Sequence, residues 1–190
     1  YMVGRVNIPK EVPLLIILNH QNGLNLALVV LCGTPVRKKR KPRFIARADV
    51  FRSGVKKVLD WLGIFPAFRR SEGSDSLANN YSTFSTAADE LICNGTVTIY
   101  PEAGHQDIHW LGRFSLGFLR IVFEAAEKTN FERDFAIMLA CKHYSDYFHV
   151  REEAMIKVGE PLAIMPYFDE YKENPRPITP KRSEAMHRRA

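Results

Sequence analysis

Five consecutive apolar residues, Leu14-Leu15-Ile16-Ile17-Leu18, stop abruptly at Asn19-His20-Gln21-Asn22. Successive side chains of a strand point to opposite faces, so a run without a polar residue needs apolar cover on both sides. That is the pattern of an interior strand in a sheet flanked by helices. Few folds accommodate it, and the rest of the chain repeats the theme.

Further short strands are predicted at Arg43 to Arg47, Ile64 to Phe68, Val97 to Tyr100, Ala136 to Lys142 and Ala154 to Val158. Between them lie helical patterns. Leu24 to Leu31 is an apolar helix. Val50 to Leu62 carries Val50, Phe51, Val55, Val58, Leu59 and Leu62 at a 3.6-residue period, behind Asp49 as a cap. A long helix starts at Asp75 or Ser76, after a polar loop over Ser71 to Ser76, and runs to about Cys93, with Gly95 as its stop. Gly117 to Lys128 aligns Phe118, Ile121, Val122 and Ala125, and Thr179-Pro180 opens a last helix. Alternating strands and helices imply a single α/β domain with a mixed, largely parallel sheet. With 190 residues, 46% apolar and 25% charged, a core can form without disulfides or metal. The chain begins at Tyr1 and stops inside the last predicted helix, so residues 1–190 are expected to be one domain truncated at both ends.

Composition narrows the function. Cys32, Cys93 and Cys141 are scattered, which fits reduced core thiols and offers neither a zinc site nor a disulfide framework. No uninterrupted apolar stretch reaches the length of a spanning helix. A net charge of +6 suits polyanions, anionic membranes and phosphate-bearing small molecules alike. The basic run Val36 to Lys41 reads as a solvated loop or a contact with anionic lipid, since no fingerprint of a nucleic-acid-binding fold accompanies it.

In such sheets the loops leaving the carboxyl ends of the strands carry the chemistry. Three features fall there. His20 follows the apolar strand; its imidazole is either a general base for a hydroxyl or a hydrogen-bonded structural group. Tyr100-Pro101-Glu102-Ala103-Gly104 follows another strand, as a polar turn or as a loop that orients a phosphate-bearing substrate. Arg47 and Arg69 stand at or near strand ends, solvated or placed for bidentate phosphate contacts.

In their order along the chain these pieces resemble the glycerophosphate and lysophosphatidate acyltransferase family, over about Val12 to Pro161. His20-Gln21-Asn22-Gly23-Leu24-Asn25 stands where that family has a His-x4-Asp box. Phe44-Ile45-Ala46-Arg47-Ala48-Asp49 and Gly63-Ile64-Phe65-Pro66-Ala67-Phe68-Arg69 resemble its second block, and Ile99-Tyr100-Pro101-Glu102-Ala103-Gly104 its Phe-Pro-Glu-Gly block. Ile137 to Lys142 matches a fourth, hydrophobic block, and Tyr144-Ser145-Asp146-Tyr147 and Val158-Gly159-Glu160-Pro161 are similar to bacterial members.

The resemblance implies an acyltransferase of phospholipid biosynthesis. His20 would deprotonate the acceptor hydroxyl with Asn25 beside it, while Arg47, Arg69 and the Glu102-Ala103-Gly104 loop would seat the phosphate and glycerol backbone. The acceptor would be a lysophospholipid or glycerol phosphate. The co-substrate would be acyl-CoA or acyl-ACP (acyl carrier protein), with no bound cofactor, no metal and no nucleic acid. The protein is expected at the cytoplasmic face of a membrane. The sequence departs from the family at telling places. Asn25 replaces the aspartate, Leu26 offers no carboxylate one residue later, and Ala103 replaces a glycine. Ser115-Leu116 stand where related enzymes carry lysines, Leu139 stands for a proline, and His105 for an arginine or a small polar residue. An asparagine keeps the shape of the dyad without its charge, so the same residues also fit a weakened or inactive lipid-binding relative.

Overall fold

The computed structural model describes residues 1–9, 11–19, 42–47, 51, 57, 59, 61, 63–67, 74–102, 112, 114–144 and 153–173. One seven-stranded mixed sheet organises them. Its strands are β1 (Met2–Val3), β2 (Leu14–Leu18), β3 (Arg43–Arg47), β4 (Ile64–Ala67), β5 (Thr96–Ile99), β6 (Ala136–Tyr144) and β7 (Ala154–Ala163). Their spatial order is β1-β7-β6-β2-β5-β3-β4. The five strands from β6 to β4 are mutually parallel; β7 pairs antiparallel with β6, and β1 pairs parallel with β7. The expected α/β class and mixed, mostly parallel sheet are what the chain forms.

The apolar run does what its composition requires. β2 is central, paired with β5 through Leu14↔Thr96 to Ile17↔Ile99 and with β6 through Leu14↔Ala136 to Leu18↔Ala140, and all five of its residues are buried. Leu15 and Ile17 face a helical layer together with Val97, Ile99 and Ile137. Leu14 and Ile16 face the other way with Ala136, Met138, Ile156 and Val158. Leu18 joins Phe44 and Ile64 on that second side, where Phe51 and Leu59 from the predicted helix over Val50 to Leu62 also pack. Lys57, Leu59 and Trp61 of that stretch are helical.

The helical layer consists of α1 (Ser74–Ile92), α2 (Gly117–Lys128) and α3 (Phe168–Glu173). α1 buries Thr83, Ala87, Ala88 and Leu91, and α2 buries Phe118, Ile121, Val122, Ala125 and Ala126, each set at helical spacing. α3 docks onto α2 by stacking Tyr171 on Phe123, ring centroids 4.0 Å apart, and by a hydrogen bond from the Tyr171 hydroxyl to Glu127 Oε1 at 3.0 Å.

Several boundaries differ from expectation for identifiable reasons. α1 begins at Ser74, inside the stretch read as loop, and ends through Asn94 rather than Gly95. Asn94 takes the left-handed conformation (φ 66°), its N–H reaching Leu91 O at 2.8 Å while the Gly95 N–H reaches Glu90 O at 2.8 Å. Gly95 is needed for closeness instead: a Cβ there would lie 2.6 Å from Glu90 O. β5 starts one residue earlier than predicted and ends at Ile99, β6 continues past Lys142 to Tyr144, and β7 runs five residues beyond Val158. Gly159-Glu160-Pro161 looks like punctuation, yet it forms a bulge: Met138 pairs with Pro161 and Ala140 with Val158, so two residues of β7 oppose one of β6. β1, the 3-10 turns Arg5–Asn7 and Met165–Tyr167, and α3 are too short for a periodic signal. The predicted helix over Leu24 to Leu31, the basic run Val36 to Lys41, Phe68, the Ser145-Asp146-Tyr147 stretch and the Thr179-Pro180 helix lie outside the described residues.

Candidate active site

Because β6, β2, β5, β3 and β4 run parallel and adjacent, their carboxyl ends share one edge of the sheet. Across that edge stand, in order, Lys142 of β6, Asn19 following β2, Tyr100-Pro101-Glu102 following β5, Arg47 ending β3 and Ala67 ending β4. The segments singled out in the sequence therefore emerge side by side, although up to 123 residues separate the tied positions along the chain.

The placement of each candidate is as follows. Arg47 is the last residue of β3, its backbone paired with Ala67. His20 follows the described Asn19 directly, and Arg69 comes two residues after Ala67. His20, Asn25, Arg69, Ala103, Gly104 and His105 themselves lie outside the described residues. Glu102 is half-buried, and its Oε2 accepts a hydrogen bond from the Gly112 N–H at 2.8 Å. A Cβ at Gly112 would sit 2.9 Å from that oxygen, so a larger residue there would make the Glu102 carboxylate shift. Buried Pro101 accepts the Ser115 N–H at 2.8 Å. These two bonds tie Pro101 and Glu102 to Gly112 and Ser115, just ahead of α2. Neither the polar-turn nor the substrate-orienting expectation for Tyr100 to Gly104 included this bond between Glu102 and the Gly112 backbone. Tyr100 packs partly buried beside Leu18, Phe44 and Ile64.

Two further residues at this edge were not picked out as site residues. Asn19 is 3% exposed. Its Nδ2 donates to the Lys142 carbonyl at 2.9 Å and its Oδ1 accepts the Lys142 N–H at 2.6 Å. The amide takes the place of a peptide group and carries the β2–β6 tie beyond the last backbone pair, Leu18↔Ala140. Lys142 is fully buried, on the same side of β6 as Ala136, Met138 and Ala140 by strand alternation. Loss of hydration pushes its ammonium down from 10.5 to about 8. The one charged residue at an inward position of an apolar strand is the signal that could have marked it. Among the described residues no group of His, Cys, Asp and Glu is placed to hold a metal ion, and no helix is long and apolar enough to cross a membrane.

This edge combines a strand end fixed by the Asn19 amide, a glutamate bonded to the Gly112 N–H, and an arginine-bearing strand end two strands from β2.

Comparison with known proteins bears on the family and the fold. The family profile described as acyltransferase matches residues 2–143. Among solved structures, the chain is similar to the 1-acyl-sn-glycerophosphate (LPA) acyltransferase PlsC from Thermotoga maritima, with a TM-score of 0.58 and 16% sequence identity. That match covers 89% of this chain and 67% of the other. At that identity the likeness concerns the fold. A search of the curated proteins finds no significant match.

Proposed function

This chain belongs to the acyltransferase family, and from that premise we propose that it moves a fatty acyl group from an acyl-CoA or acyl-ACP thioester to the hydroxyl of a lysophospholipid or glycerol phosphate. The observation that supports the reading best is the convergence at the sheet edge. The strand end leading to His20, the Glu102 loop and the Arg47 strand end sit on neighbouring parallel strands.

In the proposed reaction the His20 imidazole accepts the proton of the acceptor hydroxyl. That oxygen attacks the thioester carbonyl carbon, the C–S bond breaks, and the imidazolium returns its proton to the departing thiolate. The products are an ester and a free thiol, with no acyl-enzyme between. Arg47 and Arg69 neutralise the acceptor phosphate, and the loop after Glu102 orients the glycerol backbone. Holding hydroxyl and thioester together supplies a large part of the acceleration. The Asn25 carbonyl accepts an imidazole N–H without adding charge. In serine proteases the corresponding loss of a carboxylate costs about 10⁴ in turnover, so a slow enzyme is the expectation. The net charge of +6 favours an anionic membrane surface, where a lysophospholipid acceptor resides. Co-sedimentation with anionic vesicles should exceed that with neutral ones.

Asn25 also favours a second reading, a relative that keeps the lipid site and has lost turnover. One assay separates the two: acyl transfer to lysophosphatidate from acyl-CoA and acyl-ACP, in vesicles, by the parent, Asn25→Asp and His20→Ala. Turnover in the parent that disappears in His20→Ala establishes the enzyme. A silent parent awakened by Asn25→Asp establishes the second reading. Undiminished turnover in His20→Ala removes the assigned base.

A further inference from the structure

A strand that ends at a reactive residue faces a mechanical problem. Backbone pairing stops at the last rung, and residues beyond it lose the ladder that fixed their φ and ψ. In β2 the last rung to β6 is Leu18↔Ala140. The following residue, Asn19, is not left to a loop. Its side-chain amide bonds both polar backbone groups of Lys142, at 2.6 and 2.9 Å, and is almost wholly buried while doing so.

We propose that Asn19 is a positioning residue for the acyl-transfer base: its amide extends the β2–β6 ladder by one side-chain rung and so holds the strand end from which His20 departs. The inference rests on the reading of His20 as the base. Consecutive Cα atoms are about 3.8 Å apart, so a fixed Asn19 backbone restricts where the next residue can stand. The choice of residue follows from chemistry. The tie needs one acceptor for the Lys142 N–H and one donor for its carbonyl. Asparagine offers both from one planar group of peptide-like shape, whereas aspartate offers only acceptors and leucine neither. The anchor is itself rigid, because Lys142 lies in the interior of β6, paired on its other side with Ile156 of β7. Burial makes the tie hard to exchange for water, since a broken bond would leave a buried donor or acceptor unsatisfied. This arrangement matters more here than in a site with a full His–Asp dyad. Asn25 brings no charge to orient the imidazole, so more of its orientation falls to the backbone that carries it.

The test compares the parent, Asn19→Leu, Asn19→Asp and His20→Ala. Asn19→Leu keeps size and loses both bonds; Asn19→Asp keeps the acceptor for the Lys142 N–H. Each is measured for kcat, KM and melting temperature, and the His20 ring signals are followed by NMR in histidine-labelled protein, assigned by their absence in His20→Ala. The expected result is a kcat lower by roughly tenfold or more in Asn19→Leu with KM nearly unchanged, an intermediate kcat in Asn19→Asp, and His20 signals that broaden or split. If Asn19→Leu does not fold, Asn19→Asp carries the comparison; if the parent has no turnover, the NMR signals decide. Unchanged kcat and unchanged His20 signals in a folded variant overturn the proposal while His20→Ala remains inactive. Full activity in His20→Ala overturns it differently, by removing the base it was meant to hold.

Discussion

Replacing Lys142 with methionine should stabilise this protein at neutral pH, by an amount that vanishes as the solution is made alkaline. The side chain is fully buried, and loss of hydration lowers its pKa from 10.5 to about 8. Because the folded value lies below the unfolded one, the cost of the buried charge is complete below pH 8, where both states hold the proton. Between 8 and 10.5 the folded state has released it and the unfolded state has not, so stability rises with pH. Above 10.5 neither state is charged and the cost is gone. The gap between the two values, at about 1.4 kcal/mol per pH unit, amounts to roughly 3 kcal/mol. Methionine keeps an unbranched stem of similar length without the charge, so Lys142→Met should recover up to that amount at pH 7. The assay is urea unfolding of parent and variant at several values between pH 6 and 10.5. The difference between the two curves cancels every other titrating group. A variant less stable than the parent at pH 7 would refute the argument, as would a difference that does not shrink between pH 8 and 10.5.

Two further predictions concern the scaffold, and both are read by chemical denaturation. Gly95→Ala drives a methyl group to 2.6 Å from the backbone Glu90 O and should cost about 1–3 kcal/mol; a loss below a few tenths would show that the turn relaxes freely. Phe135→Ala empties one of the largest fully buried side chains and should cost about 3–5 kcal/mol, with a smaller loss indicating that the core collapses into the space.

Most of the sheet is legible in the sequence because its central strands are buried on both faces and carry unbroken apolar or β-branched runs, as in Leu14–Leu18 and Thr96–Ile99. α2 is legible to the residue, since Phe118, Ile121, Val122 and Ala125 mark one face without interruption. β7 is cut short in the reading because a bulge writes Gly159-Glu160-Pro161, residues that elsewhere end strands, into the middle of one. β1 has two residues and no period to detect. At the site, His20, Arg47 and the Glu102 loop stand out through local motifs. The duties of Asn19 and Glu102 do not, for different reasons. The partner of Asn19 lies 123 residues away, beyond any window of sequence pattern. Glu102 bonds a backbone N–H at Gly112, and backbone groups leave no trace in side-chain identity.

The position of β1 has a consequence for the order in which the described strands can pair. Among the described strands, Met2–Val3 pairs with β7 alone, and Asn7 Nδ2 bonds Val158 O across 151 residues of chain. Gly4 crosses Val158 so closely that a Cβ would lie 2.3 Å from its carbonyl oxygen. β1 therefore waits for β7. The parallel block from β6 to β4 can pair without either, but Met2–Val3 stays unpaired until β7 has turned back along β6 and offered its outer edge. Loop closure over so long a span comes late and slowly. Of the described strands, the first in sequence is thus among the last to be paired.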